Sequence, residues 1–445
     1  MTSVTATQIA WSVTLVEAGV LRVRVENPDG KRSDVVNAPI LRQTGVVLGY
    51  GPTPTIGATA PPGSVTLNPG DNIQAAITAN ANGTTFWLRS GTHQLSASLT
   101  PKTGNTFIGE FGAILEGSGW TPPDATGAAF RAVNAAIVNV TIQNLLIRNI
   151  LHKGVYVFHA ERNKLTGWTI DHCEIANCGY GIAFGSHFTI QHNYIHDCRH
   201  NPADGFGPGG AYAATGNYQE TVDGQPNVLD DVLFFHNHFS HCGVETHVND
   251  IINFVFRDNW FHDMDFSCMW CDGVGFGFLA EDNLVEDSGI GVHYEISIGG
   301  IIRRNTFRRT TDSAVYVSTS ADMQIYENTF DRCARAVALF VNFPALGLWP
   351  WNPDLRDNSI HTNTITVAAT AGHYACFLSH LGTGDLTPYR MPTNTRNNVF
   401  DNNIYTLLDP AAFPWLWTAQ ASPGDGFRDF SGWQAILQDL NGSSS

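Results

Sequence analysis

The sequence predicts a parallel β-helix, a solenoid built from coils of short parallel strands. Residues 232–342 repeat one pattern five times: an alternating apolar run, an Asn, and then two further short apolar runs. The repeats are 22, 24, 22 and 23 residues long when aligned on their shared residue, which is Asn237, Asn259, Asn283, Asn305 and Asn328. A period in the low twenties with strand alternation inside each repeat is typical of a solenoid rather than a globular domain.

The Asn column predicts the sharp bend between two strands of each coil. Asn tolerates left-handed backbone angles, and its side chain can hydrogen-bond to the Asn of the next coil. Five positions later the repeats carry small or soft residues, which we expect to point inward and fill the coil. These residues are Cys178, Cys198, Cys242, Met264, Ser288, Thr310 and Cys333.

The chain divides into four predicted parts. Residues 1–56 read as a small β-rich module with two alternating strands, and residues 57–66 form a linker rich in Pro, Gly and Thr. The β-helix is predicted over 67–404 and a C-terminal cap over 405–445. Short helices are expected over 71–79, with Asp71 as N-cap, and from Ser431 onward, so both ends of the solenoid are expected to be present. Insertions at about 199–231, 343–358 and 379–397 interrupt the period, and we expect them to wall a groove.

Composition disfavours several classes of partner. The net charge of −16 disfavours nucleic acid and anionic membranes, and no apolar run is long enough to span a membrane. The first thirty residues show no signal peptide. The pair Cys268 and Cys271 has no second pair at ligand spacing, and His236 and His238 are interpreted as turn and surface residues, so no metal site is predicted.

One outward-facing cluster stands out when the strands after the Asn column are aligned. Val155, Ile182, Val244, Met269, Val292, Val315 and Val337 form the predicted inward file. The adjacent outward positions of three consecutive coils carry ionisable side chains: Glu245 with His247, Trp270 with Asp272, and His293 with Glu295. Stability alone would favour Thr, Val or Asn there, because neighbouring acids repel each other. We therefore favour catalysis or ligand binding over a solvated surface.

The coil pattern over residues 67–404 resembles the right-handed parallel β-helix proteins of the pectin-lyase-like superfamily. The segment Trp270-x-Asp272, followed one coil later by Gly291-Val-His293-Tyr-Glu295, is similar to a pattern in bacterial β-helix proteins. The resemblance implies polysaccharide lyase, hydrolase, epimerase or phage tailspike activity, at an extracellular or virion-associated location. The Asn-Thr-Asp, Gly-His-Gly and Arg-Ile-Lys segments of polygalacturonases are not found at suitable places, and Asp230-Asp231 is not assigned their role.

The predicted chemistry is glycoside hydrolysis of a neutral or cationic glycan. This reaction needs one protonated and one ionised carboxyl, and we assign Asp272 and Glu295, with Glu245 as the alternative partner. His247 and His293 would orient the acids or bind hydroxyl groups, and both retaining and inverting geometries fit. Aromatic side chains for sugar binding are Trp270 as a stacking platform, Tyr316, and the insertion residues Trp349 and Trp351, which alternatively pack over the coil.

Two other functions stay open. The first is a lyase or epimerase on a uronate polymer, with a histidine as base and Tyr294 or Tyr316 as proton donor; its substrate carboxylate would need Arg, Lys or calcium. No cofactor is predicted, although Glu245, Asp272 and Glu295 together offer the oxygen ligands that calcium prefers. The second is a non-enzymatic glycan-binding adhesin or virion fibre. A monomer and a homotrimer are both compatible with the sequence.

Overall fold

The computed structural model describes residues 59–161, 167–199, 209–244, 246–273, 276–342, 353–368, 372–380, 396–409, 414–417, 427–436 and 438–445. The predicted N-terminal module lies outside these residues. The described part is a parallel β-helix with three long sheets of 13, 13 and 12 strands, which confirms the predicted fold class. From Thr106 to Trp417 each coil contributes one strand to each sheet, and neighbouring coils pair in parallel.

The first and second sheets meet at the Asn column. The first sheet contains Val65–Leu67, Thr85–Leu88, Thr106–Gly109, Thr141–Gln143, Thr169–Asp171, Thr189–Gln191, Leu229–Phe235, Ile251–Arg257, Phe278–Glu281, Ile298–Arg303, Ala321–Tyr326, Ser359–His361 and Val399–Asp401. The second sheet contains Gly91–Gln94, Ala113–Glu116, Leu146–Arg148, Glu174–Ala176, Tyr194–His196, His238–Ser240, Trp260–His262, Leu284–Glu286, Thr306–Arg308, Thr329–Asp331, Thr364–Val367, Ile404–Leu407 and Ser443–Ser444.

The third sheet completes each coil. It contains Ala128–Val133, Lys153–Phe158, Tyr180–Ala183, Gly210–Thr215, His247–Asn249, Ser267–Asp272, Ile290–Glu295, Ser313–Ser318, Arg335–Val341, Tyr374–His380, Trp415–Trp417 and Phe427–Arg428. The last strand runs antiparallel to its neighbour. An antiparallel hairpin, Asn217–Val222 with Gln225–Asn227, stands within the predicted insertion 199–231. That insertion also contains a regular sheet strand, Gly210–Thr215, so it is shorter than the sequence predicts.

The Asn column is a buried hydrogen-bond ladder, as predicted. Asn237 Nδ2 donates to Asn259 Oδ1 at 3.0 Å, Asn259 to Asn283 at 3.0 Å, and Asn283 to Asn305 at 2.9 Å. The predicted left-handed backbone, however, belongs to the residue before each Asn, with φ of 54° at Asp258 and 58° at Asp282. The Asn residues themselves are at most 1% exposed, because each one satisfies the backbone groups of the bend.

The two histidines that flank Asn237 occupy different environments. His236 is the left-handed turn residue, and its Nδ1 lies 2.6 Å from Asp258 Oδ2. His238 begins a strand of the second sheet and is only 1% exposed. The interpretation of His238 as a surface residue is therefore wrong, because its ring is stacked between those of Tyr194 and Trp260.

The interior is filled by stacked apolar side chains. The predicted inward file of cysteine, methionine, serine and threonine is buried throughout, at 3% exposure or less. All eight cysteines are buried and unpaired, as expected for Cys268 and Cys271. Rings also stack from coil to coil, as in Phe239 and Phe261, with centroids 4.5 Å apart.

Two short helices lie near the ends of the solenoid. The first spans Ile73–Ala79, and its N-cap is Asn72, whose side chain accepts from Ala75 N; the predicted cap, Asp71, instead accepts from the backbone of Asn68. The second spans Phe430–Gln434 with Asp429 as N-cap, two residues before the predicted start at Ser431. In both cases an acceptor side chain reaches the orphan N–H groups of the first turn.

Breaking the Asn ladder is expected to destabilise the solenoid. In Asn283→Ala the backbone N–H of Asn259 loses its acceptor, and the carbonyl of Phe256 loses its donor. Each unsatisfied buried group costs about 1–3 kcal/mol, so we expect a loss of about 3 kcal/mol in urea unfolding. The exposed Thr92→Ala variant is the control, and a loss below about 1 kcal/mol in Asn283→Ala would contradict the ladder's role.

Candidate active site on the third sheet

The outward face of the third sheet brings most of the predicted site residues together. The pairing register places Trp270 beside His293 and Asp272 beside Glu295 on adjacent coils. On the next coil, Tyr316 lies beside His293. The strands alternate faces, so Cys271 and Tyr294, which lie between these residues on their strands, point into the core and are fully buried.

The coil that carries His247 is aligned differently from the sequence prediction. Val248 pairs with Cys271 and Asn249 with Asp272, so His247 stands beside Trp270 instead of beside Asp272. Val244, predicted to point inward, is 40% exposed. A shift of two residues preserves strand alternation, so alternation alone could not reveal it. Glu245 lies outside the described residues, and its assignment as alternative acid stays a prediction.

A stack of rings runs along this face. The Trp270 ring has His247 on one side, with centroids 4.1 Å apart, and His293 on the other, 4.6 Å apart and nearly parallel. The next ring is that of Tyr316, whose centroid lies 4.5 Å from that of His293. The Phe340 ring follows, with its centroid 4.4 Å from that of Tyr316. Because both faces of the Trp270 ring are covered, a sugar would meet the edge of the indole and not a stacking face.

Glu295 accepts a hydrogen bond from one of these rings and lies within ion-pair distance of another. Trp270 Nε1 donates to Glu295 Oε2 at 3.1 Å, and His293 Nε2 lies 3.2 Å from the same oxygen. Burial by itself raises the pKa of Glu295, but His293 and the indole N–H outweigh it and lower that pKa below its usual value. His293 is in turn positioned by Ser267, whose Oγ lies 3.1 Å from His293 Nδ1.

Asp272 is in the opposite electrostatic situation. Burial, followed by the charges of Glu295 and Asp250, raises the pKa of Asp272 to about 7. Its Oδ1 is buried and has no hydrogen-bond partner. Near neutral pH, Asp272 therefore retains its proton more readily than an ordinary aspartate, whereas Glu295 is ionised.

His247 is held neutral beside this pair. Burial lowers its pKa to about 4, which Glu295 opposes and His293 reinforces. The Nε2 atom of His247 is also buried without a hydrogen-bond partner. Unsatisfied buried polar atoms are uncommon in proteins, so those of His247 and Asp272 mark a place where a polar ligand would be accommodated.

The other predicted contact residues are only partly placed. Tyr316 is half-buried in the ring stack, and burial raises the pKa of its hydroxyl above the usual value. Trp349 and Trp351 lie outside the described residues. Sequence reasoning missed Ser267 and Asp250, because a serine at a strand start and an aspartate in a turn are common structural residues.

A cavity opens farther along the same face. The ring column is interrupted by Ala183 and Ala213, which stand in register between Tyr156 and His247. The resulting cavity has a volume of about 280 Å³. Its lining includes Lys153, whose Nζ lies 4.7 Å from the Tyr156 ring centroid and whose pKa is lowered to about 8 by burial. Sequence reasoning offered no signal for Lys153 beyond the scarcity of lysine in the chain.

Possible metal ligands lie elsewhere on the surface. Within the described ranges, three groups of His and Asp side chains bring their ligand atoms within 4.8 Å of one another: Asp171 with His172 and His192, His187 with Asp230 and Asp231, and His241 with His262 and Asp263. In that part of the chain, neither Asp272 nor Glu295 belongs to such a group. The calcium alternative also required Glu245, which is not described.

Sequence comparisons identify the fold region. A family model described as "Right handed beta helix region" matches residues 129–285, and one described as "Periplasmic copper-binding protein (NosD)" matches residues 215–410. A search of curated proteins found no similar sequence. Among the described helices, none is long and apolar enough to cross a membrane.

Similar solved structures include proteins of several activities. The A-module of the mannuronan C-5 epimerase AlgE6 of Azotobacter vinelandii is 15% identical, with 75% of this chain and 88% of that chain covered and a TM-score of 0.39. The family 28 exopolygalacturonase of Yersinia enterocolitica is 13% identical, with 72% and 79% covered and a TM-score of 0.40. The tailspike of E. coli bacteriophage HK620 is 10% identical, with 79% and 68% covered and a TM-score of 0.38. Similarity at this level assigns no activity, but the three parallel sheets and the match over residues 129–285 identify this chain as a right-handed parallel β-helix protein.

Proposed function

We propose that the protein is a glycoside hydrolase that cleaves a polysaccharide on the outer face of the third sheet. The observation that carries this proposal is that the pKa values of two neighbouring carboxyls are shifted in opposite directions. Asp272, with a pKa raised to about 7, is suited to donate a proton to the leaving oxygen. Glu295, with a lowered pKa, is suited to attack carbon or activate water. Glycoside hydrolysis requires this division of roles between two acids.

The spacing of the pair favours a retaining mechanism. Asp272 and Glu295 are in register on adjacent coils, and adjacent strands lie about 4.8 Å apart. Retaining enzymes hold their two carboxyls about 5–5.5 Å apart, whereas inverting enzymes need about 6.5–9.5 Å to admit a water molecule. In this scheme Trp270 is a positioning residue, because its N–H orients the Glu295 carboxylate.

A glycan would follow the coils toward the cavity. The Tyr180–Ala183 strand lies three coils from the strand of Asp272, which corresponds to about 14 Å at the spacing of parallel strands. The gap at Ala183 and Ala213 offers room for sugar rings, and the neutral His247 lies between the cavity and the acid pair.

Uronate elimination is less well supported. Its base must remove a carbon-bound proton, and a pKa of about 4 makes His247 a weak base near neutrality. The described outward positions beside the acid pair are His247, Trp270, His293 and Tyr316 in one column and Asn249, Asp272, Glu295 and Ser318 in the other. Neither column supplies an Arg or Lys next to the acids to neutralise a substrate carboxylate.

The proposal is tested by product analysis on a panel of neutral, cationic and uronate polysaccharides. We expect wild type to release reducing ends without an unsaturated product absorbing near 235 nm, and NMR to show that the anomeric configuration is retained. Glu295→Gln is expected to lower the release strongly, while Asp322→Asn, at an exposed position of the strand Ala321–Tyr326 in the first sheet, leaves it unchanged. An absorbing product from a uronate polymer would replace the hydrolase with a lyase, and silence across the panel would refute both.

A further inference from the structure

A second cluster of ionisable side chains lies on the outer face of the second sheet. His262 ends the strand Trp260–His262, and His241 follows the neighbouring strand His238–Ser240. Both strands are followed by left-handed turn residues, His241 with φ of 53° and Asp263 with φ of 52°. The turns bring one ligand atom each from His241, His262 and Asp263 within 4.8 Å of one another.

The central imidazole is fixed from both ends. Nδ1 of His262 lies 2.6 Å from Asp263 Oδ2, and its Nε2 lies 2.7 Å from Nε2 of His238. His238 is 1% exposed and packs its ring 4.3 Å from that of Trp260. His262 thus has one buried imidazole behind it and two exposed side chains, His241 and Asp263, in front of it.

We propose that His241, His262 and Asp263 bind a divalent transition-metal ion, with His238 as the positioning residue behind His262. Imidazole nitrogens with one carboxylate suit zinc or copper better than calcium or magnesium, which prefer oxygen ligands. The ion replaces the proton that His262 Nδ1 shares with Asp263. The Asp263 side chain is 50% exposed, so it can rotate away from His262 Nδ1 and admit an ion with metal–ligand bonds of about 2.0–2.2 Å.

The arrangement behind His262 is the one that metal sites use to hold a ligand. A ligating imidazole nearly always hydrogen-bonds through its other nitrogen to a fixed partner, which sets its tautomer and orientation. In the cluster of Asp171, His172 and His192, by contrast, both imidazoles contact a single Asp171 oxygen, at 2.7 and 3.0 Å. That cluster therefore serves as the matched comparison.

The test is calorimetric titration of untagged, chelator-treated full-length protein with ZnCl₂. We expect one saturable zinc site. Loss of an outer-shell partner lowers metal affinity by about 10- to 100-fold, and we expect a decrease of that size in His238→Phe. In His262→Gln and Asp263→Asn, which remove proposed ligands, the affinity should fall by at least that amount. His172→Gln should bind zinc as wild type does. Circular dichroism establishes that each variant is folded.

Copper supplies a readout that depends on position. Cu²⁺ quenches nearby indoles, and the Trp260 ring lies 4.5 Å from that of His262. Stoichiometric Cu²⁺ should therefore quench wild-type fluorescence, and Trp260→Phe should lose that component while still binding zinc. Absence of saturable zinc binding, binding unchanged in folded His262→Gln, or binding lost only in His172→Gln would each overturn the proposal.

Discussion

Asp272→Asn and Glu295→Gln are each expected to lower turnover of the cleaved polysaccharide by about 10²- to 10⁴-fold, the usual contribution of a positioned acid or base. The substitutions preserve shape and remove only the ability to exchange a proton or carry a charge. Steady-state kinetics on the polysaccharide identified by product analysis measures the loss. The effect on KM should be small, because neither change removes a predicted sugar-contacting surface.

The pH dependence of kcat/KM separates the two roles. In wild type, activity should fall as pH rises through about 7, because Asp272 then loses the proton it must donate. It should also fall in acid below the usual range of a glutamate, where Glu295 becomes protonated. Asp272→Asn should lose the high-pH limb in its residual activity, and Asp322→Asn should keep the whole profile. A wild-type rate that keeps rising above pH 8 would contradict Asp272 as the acid.

The repeat made the solenoid predictable because each coil obeys the same local rules. The Asn spacing identified the bend between the first and second sheets, and the position five residues after each Asn identified the buried file of cysteine and methionine. The conformational detail was wrong: Asp258 and Asp282 take the left-handed angle, while the Asn that follows each of them supplies hydrogen bonds. Sequence spacing cannot distinguish two adjacent residues that share one bend.

The acid pair was predictable for a different reason. Asp272 and Glu295 lie on consecutive coils of regular length, so alignment of the strands placed them side by side. His247 follows an irregular coil, and its two-residue displacement left the alternation pattern intact. The protonation of the pair depends on burial and on the ring stack around Trp270, which are properties of packing and not of sequence order.

The histidines of the second sheet show the same limit. His238 and His262 are separated by 24 positions in the sequence, and only coil stacking brings their Nε2 atoms to 2.7 Å. A search for metal ligands that are close in sequence instead selects His236 and His238. His236 lies in a turn, whereas His238 lies buried on a strand. Metal ligands in a solenoid are spaced by the coil repeat as well as by local motifs.

Asp272→Asn is also expected to stabilise the protein above about pH 7, although it lowers the proposed activity. The pKa of Asp272 is about 7 in the folded chain, against a reference value of 3.8. Below pH 3.8 the group is protonated in both states, and between the two values only the folded state retains the proton, so stability falls as pH rises. At about 1.4 kcal/mol per pKa unit, the full penalty approaches about 4 kcal/mol above pH 7.

Urea unfolding of wild type and Asp272→Asn at about pH 4, 6 and 8 measures this difference. The variant should unfold like wild type at pH 4 and at progressively higher urea concentration than wild type as pH rises, because Asn cannot ionise in the buried position. Asp322→Asn, which makes the same substitution at an exposed position, is the control. A variant that is no more stable than wild type at pH 8 would mean that Asp272 ionises without strain, and it would remove the physical basis for its role as acid. A gain in stability together with the loss of turnover would show that burial of this carboxyl is maintained at the expense of the fold, as expected where function requires a proton to be held near neutral pH.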